Sequence, residues 1–392
     1  MAGRIHDAAL RRRLRMLRGA FGLQRHGLVL RARAFDVGDH LAAGDRNRDG
    51  TTPSHRCDRS NDAVGIANPR RTSAATLVYP FHMIIEYAVV AYRSRAELVG
   101  CLDSIAMDAP AGARVVVVDN ASPDDSAGVA ASHQLAPRIV VSAKNLGFGG
   151  GCNLGVAGST ADALFFLNPD ARLKSGATAL LARAIEGDRS LGVVAPRVID
   201  PTGESRAASA GAEPTVRSTI GHFLALARIP GMRRLFTSVF LVDGSLPVRP
   251  DWVSGAAMLV RKSAFDQIGG FDERIFMYME DVDLCRRLRE QGWGVGYEPE
   301  AVVEHVMGHS QSTDQPVRWY NAFHTYVSVN HGSMHARAAS FVAALGLGLR
   351  AVAYRRNRPV NSARMARSAR AALRATASRS RSIAFDPPAR KA

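Results

Sequence analysis

The segment Phe276–Leu288, FMYMEDVDLCRRL, sets three carboxylates, Glu280, Asp281 and Asp283, among Met, Phe, Val, Leu and Cys. If a helix starts near Glu280, then Asp281, Leu284, Cys285 and Leu288 fall at i, i+3, i+4 and i+7, on the face that is buried. Asp281 then heads the apolar stripe and points inward at a helix N-terminus. Asp283 lies about 200° round the helix, where it can pair with Arg286 and Arg287 as a surface ion pair. The helix dipole accounts for Asp283. It leaves the inward Asp281 without an explanation.

Two further polar groups stand at the ends of apolar runs. LNPDA, Leu167–Ala171, is good turn chemistry after any strand. Alternatively Asp170, held by a rigid turn, coordinates a hard divalent cation shared with a diphosphate. His305 closes PEAVVEHV, either as a structural histidine or as a partner to Asp170. One oxygen and one nitrogen ligand, completed by diphosphate oxygens and water, suit Mn²⁺ or Mg²⁺ and require the two residues to meet in the fold. The run GFGGG, Gly147–Gly151, suggests a dinucleotide fingerprint, but Cys152 stands where the third glycine should be and FFLNPD replaces the acidic ribose ligand. What remains is a turn that brings backbone close to a phosphate, or a purely structural strand-to-helix turn. Cys57, Cys101, Cys152 and Cys285 form no C-x-x-C, which argues against a disulfide framework or structural metal and for a reducing cytosol.

The elements that must position these residues alternate between apolar runs and helical segments. IIEYAVVAY, ARVVVVD, PRIVVSA, ADALFFL and LGVVAPRVI read as strands, separated by helices RAELVGCLDSI, DDSAGVAAS, GGCNLGVAGS and SGATALLARAIEG. Continuous apolar strands between helices predict a Rossmann-like, mostly parallel sheet covered on both faces. Ligands bind beyond the carboxyl ends of such strands. Asp119 and Asn120, Asn145, and Asn168 with Asp170 should therefore open onto one crevice. Residues 205–250 break the rhythm as a loop-plus-helix insertion, and after GWGVGYEPEAVVEHVMGHS the chain turns helical before an Arg/Ala/Ser tail. Residues 1–82 lack sustained periodicity and contain no lysine. They are expected to be disordered, with Met83 as a possible true start.

The formal charge of +16 is unevenly placed. Lys and Arg against Asp and Glu number 15 to 7 in residues 1–82, 23 to 27 in residues 83–330 and 13 to 1 in residues 331–392. A slightly acidic centre does not attract a polyanion, so specific nucleic-acid binding is not expected. No run of eighteen apolar residues and no signal-peptide pattern occurs, so the protein is expected to be cytoplasmic. SFVAALGLGLRAVAYRRNR joins an apolar stretch to clustered arginine, as an interfacial helix on an anionic membrane would.

The succession VVAYRS, VVVVDNASPDDS, KNLGFGGGCNLGV, FFLNPDARL, WVSGAAMLVRKSAFDQIGGFDERIFMYMEDVDLCRRLREQGWGVGYEP and VVEHVMGHS resembles the family 2 glycosyltransferases, in particular the bacterial rhamnosyltransferase-like branch. The resemblance implies a GT-A fold over residues 83–330, a basic helical extension over 331–392, and inverting sugar transfer from a nucleotide-diphosphate sugar. It suggests L-rhamnose from dTDP-L-rhamnose, with galactofuranose or a hexose as alternatives, moved to a lipid-linked or glycan precursor of the cell envelope. By the family's pattern Ala91 and Tyr92 line the nucleotide pocket and Asp119 reads the pyrimidine base. Asn120, Asn145, Gly149, Asn153 and Asn168 lie along the nucleotide-sugar. Asp170 is the metal-motif carboxylate, His305 a metal ligand for Mn²⁺ or Mg²⁺, and Asp281 the general base. The usual D-x-D is NPD here, with Asn168 in place of the first aspartate.

Overall fold

The computed structural model describes residues 83–203, 209–229, 231–240, 249–305 and 315–377. The expectations for residues 1–82 and for the end of the tail lie outside the described residues. Strand β1 (Ile85–Ala91) is buried at all seven positions, and β4 (Ala163–Leu167) at all five. Apolar runs covered on both faces in this way belong at the centre of a parallel sheet. With β2 (Arg114–Asp119), β3 (Arg138–Val141), β5 (Ala171–Leu173), β6 (Leu191–Ile199), β9 (Ala257–Arg261) and β10 (Gly294–His305) they form one sheet in the order β3-β2-β1-β4-β9-β6-β10-β5. A separate two-stranded ribbon pairs β7 (Ala210–Gly211) with β8 (Trp252–Val253).

Most neighbours are parallel, but β9 runs antiparallel to both β4 and β6, and β5 antiparallel to β10. The sheet is therefore mixed, and mostly parallel. Helices α1 (Arg95–Asp108), α2 (Ser126–Ala131), α3 (Gly147–Val156), α4 (Ala177–Gly187), α5 (Val216–Phe223), α6 (Lys262–Gln267) and α7 (Glu280–Glu290) follow in chain order. Leu98, Leu102 and Ile105 of α1 and Leu181 and Ile185 of α4 join one apolar cluster with the sheet. Cys152 and Val156 of α3 and Leu284 and Leu288 of α7 join the other. Two clusters on one sheet give the layered architecture expected of an α/β domain.

Three long helices follow: α8 (Gln315–His331), α9 (Ser333–Tyr354) and α10 (Pro359–Ala377). The last lies within the stretch that reads as an Arg/Ala/Ser tail. Pro359 suits a first helical position, and Met365, Ala369, Ala371, Ala372 and Ala375 are buried, so alanine-rich composition here makes a packed helix. The same apolar cluster runs from the sheet through Trp319 and Phe323 of α8 into α9 and α10.

Candidate active site

Register sets the first half of the site. Ala91 pairs with Asp119 across β1 and β2, so both strands end side by side. Asp119 is buried and its carboxylate accepts the Ser122 N–H at 2.7 Å, which fixes the turn after β2. Tyr92 follows β1 with its ring 38% exposed, and the Arg93 guanidinium lies 5.6 Å from the ring centre. Asn120 is buried; its amide donates to the Asn145 side chain at 3.1 Å and to the Gly147 carbonyl at 2.9 Å, and accepts from Leu146 N–H at 2.8 Å. Asn145 accepts the Gly147 N–H at 2.9 Å. The two asparagines thus hold the turn that starts α3.

The glycines of that turn face protein. Gly147 has φ +77°, and a Cβ there would lie 2.0 Å from the Phe276 carbonyl oxygen. Cβ atoms at Gly149, Gly151 and Gly155 would meet Phe271, Val90 and Val118 at 2.6–2.9 Å. Close packing of α3 on β1, β2 and the loop before α7 accounts for the run. Asn153 is engaged in the same contact, exchanging hydrogen bonds with the Phe271 backbone at 2.9 Å in both directions.

The second half is built by β5. Its antiparallel pairing sets Ala171 opposite His305, so the Asn-Pro-Asp turn lands at the end of β10. His305 Nε2 lies 2.9 Å from Asp170 Oδ1 and 3.3 Å from the Asn168 amide nitrogen. Adjacent donors on an octahedral ion with 2.1 Å bonds stand about 3 Å apart, so Asp170 and His305 fit two positions of a divalent cation. Among the described residues no three His, Cys, Asp or Glu side chains gather to hold a metal. The remaining positions would belong to water and a diphosphate.

Tyr278 and Met279 are both left-handed, φ 67° and 68°, and turn the chain into α7. The helix begins at Glu280 as its sequence predicts. The burial differs from the expected pattern in one respect: Glu280 is the buried acid, 8% exposed, and Asp281 is partly exposed. Asp281 accepts the Gly255 N–H at 3.0 Å and the Val282 N–H at 2.8 Å. Glu280 Oε2 is buried with no hydrogen-bond partner among the described residues. Burial pushes the Glu280 carboxyl up, and the neighbouring Asp281 pushes it further. Burial also raises Asp281, against the two backbone N–H groups that favour its charge. Burial favours the protonated form at both carboxyls, and repulsion from the neighbouring Asp281 adds to it at Glu280.

Asp283 departs from the surface ion pair expected of it. Its side chain is 14% exposed and meets Arg287 at 2.7 Å, while Arg287 also donates to the Ile268 and Gly270 carbonyls at 3.0 and 2.7 Å. The pair ties α7 to the turn before it. Arg287, Tyr278, Asp283 and Tyr326 line a cavity of about 280 Å³ between α7 and α8, and none of Asp119, Asp170, Asp281 or His305 does.

One connection escaped sequence reasoning. The turn between β8 and β9 joins the start of α7 to the Asn-Pro-Asp segment: Gly255 N–H binds Asp281, and the Ala256 carbonyl accepts Asn168 N–H at 2.9 Å. Its only signal is SGA between two apolar runs. Glu280, four residues before Leu284 and eight before Leu288, lies on that buried face by the same period.

Comparisons with known proteins place the chain in a family. Family models described as Glycosyl transferase family 2 and Glycosyltransferase like family 2 match residues 87–247 and 234–322. The chain is 32% identical over 259 residues to an N-acetylglucosaminyl-diphospho-decaprenol L-rhamnosyltransferase of Mycobacterium tuberculosis, covering 62% of this chain and 83% of the relative. It is 26% identical to a low-salt glycan biosynthesis hexosyltransferase of Haloferax volcanii, over 55% of this chain and 64% of the other. Among solved structures, a mannosyltransferase of Pyrobaculum calidifontis in complex with GDP-Man and Mn²⁺ shares the fold, with TM-score 0.50 and 14% identity over 76% of this chain and 88% of that one. The chain belongs to glycosyltransferase family 2, in its rhamnosyltransferase-like branch, and is a glycosyltransferase acting from a nucleotide-sugar donor.

Proposed function

We propose that the protein transfers L-rhamnose from dTDP-L-rhamnose, with inversion, to a lipid-linked or glycan precursor of the cell envelope. The donor and acceptor classes rest on the 32% identity to the mycobacterial rhamnosyltransferase. The catalytic reading rests on one observation: a carboxylate, Asp281, tied by Gly255 to the same turn that holds the Asn-Pro-Asp segment.

Inversion requires one group to take the acceptor hydroxyl's proton as that oxygen attacks the anomeric carbon. Asp281 performs it. Burial raises its affinity for protons, which strengthens a general base. No covalent nucleophile is needed. Ala91, Tyr92 and Asp119 receive the nucleotide, Asp119 offering a carboxylate edge to the base. Asn120, Asn145 and Asn153 act by holding the α3 turn and the loop before α7. Asp170 and His305 would hold Mn²⁺ or Mg²⁺, which supplies positive charge to the leaving diphosphate.

A donor screen tests the proposal: release of dTDP, UDP or GDP from a panel of nucleotide sugars, with Mn²⁺, with Mg²⁺ and with chelator. Release of dTDP from dTDP-L-rhamnose that depends on added metal is the expected result. Preference for a UDP-hexose or UDP-galactofuranose would replace the donor, and full activity in chelator would remove the metal.

A further inference from the structure

Helix α9 carries two apolar faces. Ala336, Ala339, Ala343 and Leu347 are buried, and Gly346 packs so closely on α5 that a Cβ there would lie 2.3 Å from the Phe223 carbonyl oxygen. On the other side Met334, Phe341, Leu345, Leu349 and Val352 are between 44% and 79% exposed. At 100° per residue these five fall within about 80° of arc, a single stripe about 27 Å long at 1.5 Å per residue. A contiguous exposed apolar stripe marks an interaction surface.

Charge identifies what covers it. Residues 333–377 contain nine arginines and no aspartate or glutamate. Arg337 and Arg356 on the α9 side are exposed, and α10 exposes Arg367, Arg370 and Arg374 at helical spacing. A protein partner would need an acidic rim around an apolar ridge. An anionic bilayer presents both chemistries everywhere on its surface. By length and composition α9 is also long and apolar enough to cross a membrane. In the packed helix 44% of its most apolar window is buried against the protein, including the seat on α5, so one face rather than the whole circumference is open to lipid.

We propose that the exposed stripe of α9 and the arginines of α10 form a docking face for an anionic lipid bilayer. The inference gives a purpose to the lipid-linked acceptor proposed above but is tested without donor or acceptor, so either can fail alone. The full chain is co-sedimented with vesicles of phosphatidylcholine alone and of phosphatidylcholine with phosphatidylglycerol. Binding is expected to the second and to be weakened by salt. A basic residue near such a surface contributes roughly fivefold to binding, so Arg367→Gln, Arg370→Gln and Arg374→Gln together should cost roughly a hundredfold. Leu345→Glu with Leu349→Glu should reduce binding at least about tenfold while leaving the melting curve unchanged, since both side chains are exposed. Absence of binding by the full chain, equal binding to both vesicles, or unchanged binding by the Leu345/Leu349 variant would overturn the proposal. So would a dimer that this variant converts to a monomer without changing lipid affinity, which would assign the stripe to a second copy.

Discussion

The two acidic clusters of the crevice are built on opposite principles. Asp170 stands 2.9 Å from a histidine at the meeting of two strand ends, 22% exposed, with an imidazole beside it. Glu280 and Asp281 open a helix with no cationic side chain among the described residues bonded to either of them, and burial raises both carboxyls. A carboxylate that must hold a cation needs to remain ionised and reachable. One that must take a proton gains from being desolvated, because burial brings its affinity for protons closer to the working pH. The contrast is between a carboxylate set beside an imidazole and a pair of carboxyls that burial pushes towards the protonated form.

Removing the base should break the comparison most visibly. Asp281→Asn keeps size and hydrogen bonding to Gly255 but cannot accept a proton, so kcat should fall by roughly 10²–10⁴ with little change in donor affinity. Retention of more than about a tenth of wild-type turnover would refute the assignment. Asp170→Asn should act on the other side: metal-dependent donor binding, read by titration calorimetry in Mn²⁺, should weaken at least about tenfold, equivalent to about 1.4 kcal/mol. Equal donor affinity in the two proteins would sink it.

Asp283→Asn sharpens the comparison by lying in the same helix without sharing the chemistry. It removes the partner of a largely buried Arg287, so unfolding in urea should show a loss of about 1–3 kcal/mol with near-normal turnover. Glu280→Gln should have the mildest effect on rate at neutral pH, since Gln imitates the protonated acid. Its effect is on pH dependence. Glu280 is raised from 4.5 to about 8 in the folded protein, so the folded state binds the proton more tightly. Its stabilising contribution is complete below pH 4.5 and is lost as the pH climbs towards 8. Thermal melts across that window should therefore fall with pH in the wild type and less steeply in Glu280→Gln. Asp281 and Asp283 are raised in the same direction, so the slope should shrink without vanishing. Identical slopes would show that Glu280 is charged in the folded state.

Strands β1, β2 and β4 and helices α1, α4 and α7 are legible in sequence because each is a long run of one period, and those runs carry Asp119, Asp170 and Asp281 to the same edge. What escapes is set by contacts distant in the chain. Nothing local to Ala257–Arg261 says that it will insert between β4 and β6 in the opposite direction. Burial of Glu280 over Asp281 is set by which residues of the sheet and loops close over the first turn of α7, a contact that the sequence does not show. α10 reads as tail because arginine and serine dilute its alanines, yet helix α9 gives those alanines a surface to pack on.

That inserted strand also constrains how the molecule is made. Residues 85–167 can pair among themselves as soon as they leave the ribosome, but the open edge of β4 waits for β9, whose first residue follows the last of β4 by about ninety positions. At roughly 5–20 residues per second that interval lasts about 5–20 s. Throughout it the nascent chain presents ALFFL, five apolar residues paired to β1 on one side and with the other backbone edge open, to whatever else is being synthesised nearby. The turn at Gly255–Ala256 arrives with the strand that closes this edge, so the backbone N–H that later binds Asp281 is put in place as the chain's exposure to aggregation ends.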